Sequence, residues 1–232
     1  MQTMTLFSGL ALREVLENSL IPPFVAQTGV AIRRVYEPTS VLRDLVRQGE
    51  QPDVIIGTSV ALDEMAAEGE VRPESIRTLV RSDIGIAMAP AAPTYPLATP
   101  ADLGELLHRV GSVAYSAAGA SGAVFERVLG DLDLAEVVRP KAVVLASGFT
   151  AEAVRDGRAE IAVQQISELA AVEGISILGS LPAELGAHIE LSAAIGVHAD
   201  DPAIAQRFIR EIRSDRHRDV YARAHLVPLT QG

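Results

Sequence analysis

The chain of 232 residues carries 30 acidic residues against 20 Lys and Arg, a formal net charge of −10, and no cysteine. That field repels nucleic acid and anionic membrane, and the missing thiols exclude disulfides, thiolate chemistry and a Cys-ligated zinc site. With 48% hydrophobic, 22% charged and only 4% aromatic residues, the composition is that of a globular α/β protein with one large aliphatic core or two modest ones, and no apolar run reaches the ~18 residues of a membrane span.

In chain order, short aliphatic runs alternate with helical periodicity. Thr3 to Phe7 reads as a strand, and Leu12, Val15, Leu16 and Leu20 mark a helix expected to stop at Pro22-Pro23. Val30 to Tyr36 is a second strand. The helix after it turns Leu42, Leu45 and Val46 inward and stops at Gly49. Asp53 to Gly57 and Ala61 to Glu68 form the next strand and helix. Repeated βαβ units of this kind imply a mostly parallel sheet with right-handed crossovers.

Ile84 to Ala89 is another strand, and Thr99-Pro100-Ala101-Asp102 has the composition of a capped helix start. Val110 to Tyr115, Ala142 to Ala146 and Ile161 to Gln164 read as strands of a second α/β unit. Helices are expected near Gly122, Thr150 and Ile166, and Asp201-Pro202 opens a helix through Ile204, Phe208, Ile209 and Ile212. The expected architecture is two Rossmann-like lobes with central mixed β-sheets, joined by crossing strands at Ile84 to Ala89 and Ile189 to Val197. Residues 1–83 with 198–232 form the first lobe, and 84–197 the second.

One feature recurs: a strand ends, hydroxyl-bearing and small residues follow, and a helix starts. It occurs at Phe7-Ser8-Gly9-Leu10, Glu37-Pro38-Thr39-Ser40-Val41, Ser116-Ala117-Ala118-Gly119-Ala120-Ser121-Gly122 and Ser147-Gly148-Phe149-Thr150. Ligands of open α/β sheets collect at the carboxyl ends of strands. A helix N-terminus there presents unpaired N–H groups and a partial positive charge to an anion. Ser and Thr are also ordinary N-caps, so the weight rests on four such turns, two in each half.

The ordered set Leu6-Phe7-Ser8-Gly9-Leu10, Thr39-Ser40-Val41-Leu42, Pro52-Asp53-Val54-Ile55-Ile56, Gly119-Ala120-Ser121-Gly122, Val154-Arg155-Asp156-Gly157 and Phe208 to Pro228 resembles the molybdate-binding proteins of ABC transporters, within the type II periplasmic binding proteins. The resemblance spans nearly the whole chain. It implies two lobes holding molybdate, tungstate, sulfate or a small carboxylate for an ABC permease, in a monomer with no cofactor, metal or catalytic residue. Carried over, Ser8 and Ser40 match the two hydroxyl positions of the first lobe, with Gly9 and Thr39 adjacent. Ser121 and Phe149 match backbone donors of the second. Where the family often places a Tyr, this chain has Val163-Gln164-Gln165, with Gln164 nearest in register. An amide there, with the hydroxyl of Ser121, suits a ligand carrying hydroxyl or protonated carboxyl groups.

Other chemistry has less support. There is no G-x-S-x-G elbow, phosphate-binding loop, H-E-x-x-H or EF-hand loop. The five histidines (His108, His188, His198, His217, His225) fall in polar segments, expected to be exposed and not metal-binding. Arg33, Arg34 and Arg43 lie near the first-lobe turns and could meet a carboxylate. The alternatives are an isomerase of small tricarboxylates, as in the aconitate isomerases of the same superfamily, and a cytoplasmic sensor of a small carboxylate. The N-terminus lacks a basic n-region and cleavage site, so the expected location is periplasmic or at the cell surface if a signal peptide has been removed, and cytoplasmic otherwise.

Overall fold

The computed structural model describes residues 2–117 and 119–229. They form two compact units, Met1–Arg81 with Glu190–Gly232, and Ser82–Ile189.

The first unit opens with β1 (Thr3–Ser8), followed by a helical run over 10–28 that contains α1 (Arg13–Val15) and α2 (Ile21–Thr28). The run was expected to stop at Pro22-Pro23, but it continues to Thr28. Leu16–Leu20 is a π turn. In a regular α-helix the rings of Pro22 and Pro23 would clash with the carbonyls of Asn18 and Ser19, and both prolines lack a donor. The wider turn just before them accommodates both defects. Gly29, left-handed at φ 70°, ends the helix.

Next come β2 (Ala31–Tyr36), α3 (Thr39–Arg47), β3 (Val54–Thr58) and α4 (Ser59–Ala67), and β4 (Arg77–Met88) carries the chain into the second unit. There α5 (Pro100–Arg109), β5 (Val113–Ser116), α6 (Ala120–Asp131), α7 (Ala135–Val138), β6 (Ala142–Leu145), α8 (Ala151–Arg155), β7 (Ile161–Gln165), α9 (Ile166–Ala170) and β8 (Ser176–Ser180) follow in order. The strand β9 (His188–Ile195) leads back to α10 (Pro202–Ile212), α11 (Arg218–Arg223) and β10 (Leu226–Pro228). The helix starts at Thr99 and Asp201 are built as their sequences suggest. Thr99 and Asp102 form a reciprocal capping box, and Asp201 accepts from the N–H groups of Ala203 and Ile204.

In the first unit β1 lies between β2 and β3, parallel to both, and β9 runs antiparallel to β3. β3 is a short apolar run buried along most of its length, and β1 buries Met4, Leu6 and Phe7. Phe7 and Ile55 pack with Leu42, Leu62 and Met65 on one side. Leu12, Leu16, Leu20, Phe24 and Phe208 are also fully buried, Phe24 meeting Phe208 edge to face at 5.1 Å. In the second unit β5 lies parallel to β6 and β7, while β4 runs antiparallel to β7 and β8. Its core is rich in small residues, with Ala87, Ala114, Ala151, Ala153 and Ala162 packed around Leu169 and Val154.

Parallel pairing aligns strand ends. In the first unit β1, β2 and β3 finish at Ser8, Tyr36 and Thr58, and in the second β5, β6 and β7 finish at Ser116, Leu145 and Gln165. Each unit therefore gathers its hydroxyl-rich turns at one sheet edge.

Candidate anion-binding turns

In the first unit the turn after β1 is held by its own backbone. The Gly9 N–H donates to the Ile56 carbonyl at 2.9 Å, and the Glu37 N–H donates to the Ser8 carbonyl at 3.2 Å. Ser8 is fully buried, and its hydroxyl donates to the Gly9 carbonyl at 3.0 Å. Thr39 lies over bare backbone: a Cβ on Gly57 would stand 2.6 Å from the Thr39 methyl, so glycine is required there. The Thr39 Oγ1 in turn accepts from the Thr58 N–H at 3.3 Å. These contacts press the start of α3 against the end of β3. The first α-helical bond of α3 runs from the Leu42 N–H to the Pro38 carbonyl, which places Thr39, Ser40 and Val41 in its first turn. Ser40 is exposed there and Thr39 half-buried.

In the second unit the start of α6 is built on closer approach. A Cβ on Gly122 would fall inside the Ser116 carbonyl oxygen, so the helix begins in direct backbone contact with the end of β5. The Ser116 Oγ accepts from the Gly119 N–H at 2.9 Å. Among the described residues, no acceptor takes the N–H of Ala120 or Ser121. Ser121 is itself 3% exposed. Ala118, in the middle of this turn, lies outside the described residues.

The turn before α8 is organised by Gln164. Its Oε1 accepts from the Thr150 N–H at 2.8 Å and the Thr150 hydroxyl at 3.0 Å, and its Nε2 donates to the Gly148 carbonyl at 3.3 Å. The amide is thus engaged in holding residues 148–150. Phe149 is half-buried, its ring packed against the alanine-rich core.

Sequence reasoning missed Glu168. It sits in the first turn of α9, 6% exposed, with no cation paired to it among the described residues. Burial is the largest influence on it, outweighing the lowering effect of the neighbouring Gln165 and Gln164 amides, and pushes the carboxyl up to about 7. The available signal was Gln165-Ile166-Ser167-Glu168, an acid three residues after a strand end and flanked by apolar positions.

Several charged groups find partners within the chain. Arg33 pairs with Glu50, Arg34 with Glu17, and Arg43 with Glu64 and Glu68. Four histidines are exposed as expected. His217 is not: it is buried under α10, with Nε2 2.8 Å from Glu211. The tail folds back on the helix, which its polar sequence does not announce. Among the described residues no group of three His, Asp or Glu side chains could hold a metal ion, and no helix is long and apolar enough to cross a membrane.

Comparison with known proteins adds to this geometry. A family model described as bacterial extracellular solute-binding protein matches residues 4–226. An aconitate isomerase from a Pseudomonas species is 27% identical over 203 residues, 85% of this chain and 77% of that protein. The periplasmic molybdate-binding protein of Azotobacter vinelandii superposes with a TM-score of 0.80 at 18% identity, covering 98% of this chain and all of the other. The sulfate-binding protein of Mycobacterium tuberculosis gives 0.78 at 16% identity, covering 99% of this chain and 88% of the other. The fold is that of the type II periplasmic binding proteins.

Proposed function

Because the chain belongs to the bacterial extracellular solute-binding proteins, we propose that it captures a small oxyanion on the hydroxyl-rich turns of its two units and delivers it to an ABC permease, acting as a monomer outside the cytoplasmic membrane. The observation carrying this reading is the start of α6, where backbone contact between Gly122 and Ser116 holds the N–H groups of Ala120 and Ser121, without an acceptor among the described residues, at a strand end. The first turn of α3, pressed against the end of β3 by Thr39, is its counterpart in the first unit. With a net charge of −10, long-range attraction cannot gather an anion, so local N–H dipoles and neutral hydroxyls must supply the grip.

In this proposal Ser8, Gly9, Thr39 and Ser40 shape and line the first-unit turns. Ser121 and Phe149 supply donors in the second, and Gln164 fixes the turn that presents Phe149. The solved structures of similar fold include molybdate-, tungstate- and sulfate-binding proteins, which makes those three anions the first to try. Calorimetric titration and thermal melting with each should give heat and a raised midpoint. At a hundredfold excess over Kd, linkage contributes about 2.7 kcal/mol. No heat and no shift with any oxyanion or small polycarboxylate would remove the binding reading.

A second reading is favoured by the 27% identity to an aconitate isomerase: the same turns hold a small unsaturated polycarboxylate, and the chain moves its double bond. Proton NMR of cis- and trans-aconitate incubated with the protein separates the two readings, since a carrier alone leaves both isomers unchanged.

A further inference from the structure

The second unit buries polar side chains that its core does not require. Ser82, Thr150, Gln164, Gln165, Ser167 and Glu168 are each at most 7% exposed. Glu168 is the one acid among them. An ordinary N3 carboxylate caps a helix at the surface, where water solvates its charge. This one stands at the third position of α9, buried and with no cation paired to it among the described residues. Such a group is expensive to ionise and readily carries a proton.

Three further observations fix its surroundings. The Gln165 Oε1 is buried with no hydrogen-bond partner, so beside Glu168 stands an acceptor that lacks a donor such as the O–H of a hydroxyl or a protonated carboxyl group. A Cβ on Gly85 would stand 2.5 Å from Ile166 Cγ1 and 2.7 Å from the Gly179 carbonyl, so the first turn of α9 is packed tightly on β4 and β8. The Ser167 and Ser82 hydroxyls lie 3.5 Å apart, tying the same turn to β4. The acid is therefore mounted on rigid elements, as proton transfer requires.

Resting on the isomerase reading above, we propose that Glu168 is the proton-transfer residue for a small unsaturated polycarboxylic acid, with the Gln165 amide beside it in the site. The ionised Glu168 removes a proton from the methylene carbon beside the C=C bond. The electron pair of the broken C–H bond becomes the new C=C bond, and the former alkene pair takes a proton back from the Glu168 carboxyl at the far carbon. One proton leaves and one returns, so no oxidant, reductant or co-substrate is needed. The strands packed on α9, β7 (IAVQQ) and β8 (SILGS), carry no ionisable side chain. Arg81 and Asp83, which flank Ser82 on β4, are engaged with partners.

The test follows trans-aconitate in D2O by proton NMR, with wild type and Glu168→Gln, alongside calorimetric binding and circular-dichroism melts. Interconversion with deuterium entering the carbon skeleton is expected for wild type. Glu168→Gln should keep its fold and binding while turnover falls about 100-fold or more. If Glu168→Gln loses less than about tenfold, the assignment of Glu168 is overturned and the isomerase reading survives. A wild type that moves neither bond nor deuterium removes the reading and the assignment together. Should Glu168→Gln fail to fold, the wild-type profile decides: kcat/KM rising to a plateau through about pH 7 supports Glu168, and a flat profile from ~pH 5 to ~pH 9 overturns it.

Discussion

The backbone of Gly122 lies so close to the Ser116 carbonyl that no side chain fits between them. That contact, with the Gly119 N–H on the Ser116 Oγ, sets the distance of the α6 start from β5. Gly122→Ala must therefore push the helix start away from the strand end, taking the Ala120 and Ser121 N–H groups with it. Overpacking of this kind costs roughly 3 kcal/mol. The expected outcome is a lowered urea midpoint and loss of the ligand-induced midpoint shift. Unchanged melts with and without anion would show that the turn is looser than its packing indicates.

The Gln164 amide meets both the N–H and the hydroxyl of Thr150 in a buried setting. Gln164→Leu keeps the volume but strands the Thr150 N–H and the Gly148 carbonyl, and leaves the Thr150 hydroxyl only its longer bond to the Val163 carbonyl at 3.3 Å, at a cost of about 2–4 kcal/mol. Thr150→Val removes the hydroxyl that shares the Gln164 oxygen. In the double variant the two losses should add to less than their sum, by about 1 kcal/mol, in a denaturation cycle. Strict additivity would mean that the two side chains do not act as a unit.

How far these features could be read from sequence depends on the range of the interaction behind each. Asp201-Pro202 and Thr99-Pro100-Ala101-Asp102 announce their helices because a cap is satisfied within three residues. The aliphatic runs of β3 and β7 announce strands buried on both faces. The π turn before Pro22 was not legible, since proline signals a break and only helix packing against Phe208 decides that the run continues. β8 was missed as well. Ser176–Ser180 is short and polar at both ends, and its pairing with β4 shifts register at Ile86 and Ala87. The hydroxyl turns were visible as composition, but their closeness to the strand ends depends on Gly57 and Gly122 meeting residues far away or across a turn. Glu168 was hidden for the same reason: its burial is made by β4, β7 and β8 together.

Asp53 ties three segments of the first unit. One carboxylate oxygen accepts from the Thr5 N–H and the other from the Asp200 N–H, each at 2.7 Å, and the side chain is buried. Asparagine keeps one acceptor and turns its NH2 toward the second N–H. Asp53→Asn is expected to destabilise the protein by about 2 kcal/mol, read from urea denaturation, and Asp53→Ala by more. A neutral Asp53→Asn would mean that water replaces the lost acceptor.

Glu168 also predicts a dependence of stability on pH whose sign is fixed. Its carboxyl is raised by burial from 4.5 to about 7 in the folded chain, so the folded state holds the proton more tightly than the unfolded state. The stabilisation is fully present below about pH 4.5, declines as pH rises, and is gone above about pH 7. The whole effect is on the order of 3 kcal/mol. His217 acts in the opposite sense. Burial, and next the Arg216 charge, push its imidazole down, so its contribution is lost as pH falls through the ordinary histidine range. Comparing wild type with Glu168→Gln cancels the His217 contribution, which both share. The variant, with no proton to lose, should be the more stable of the two near pH 8, and its advantage should shrink steadily toward pH 5. Urea denaturation across that interval measures the difference directly. A constant gap would mean that Glu168 titrates alike in the folded and unfolded chains, which its burial does not allow.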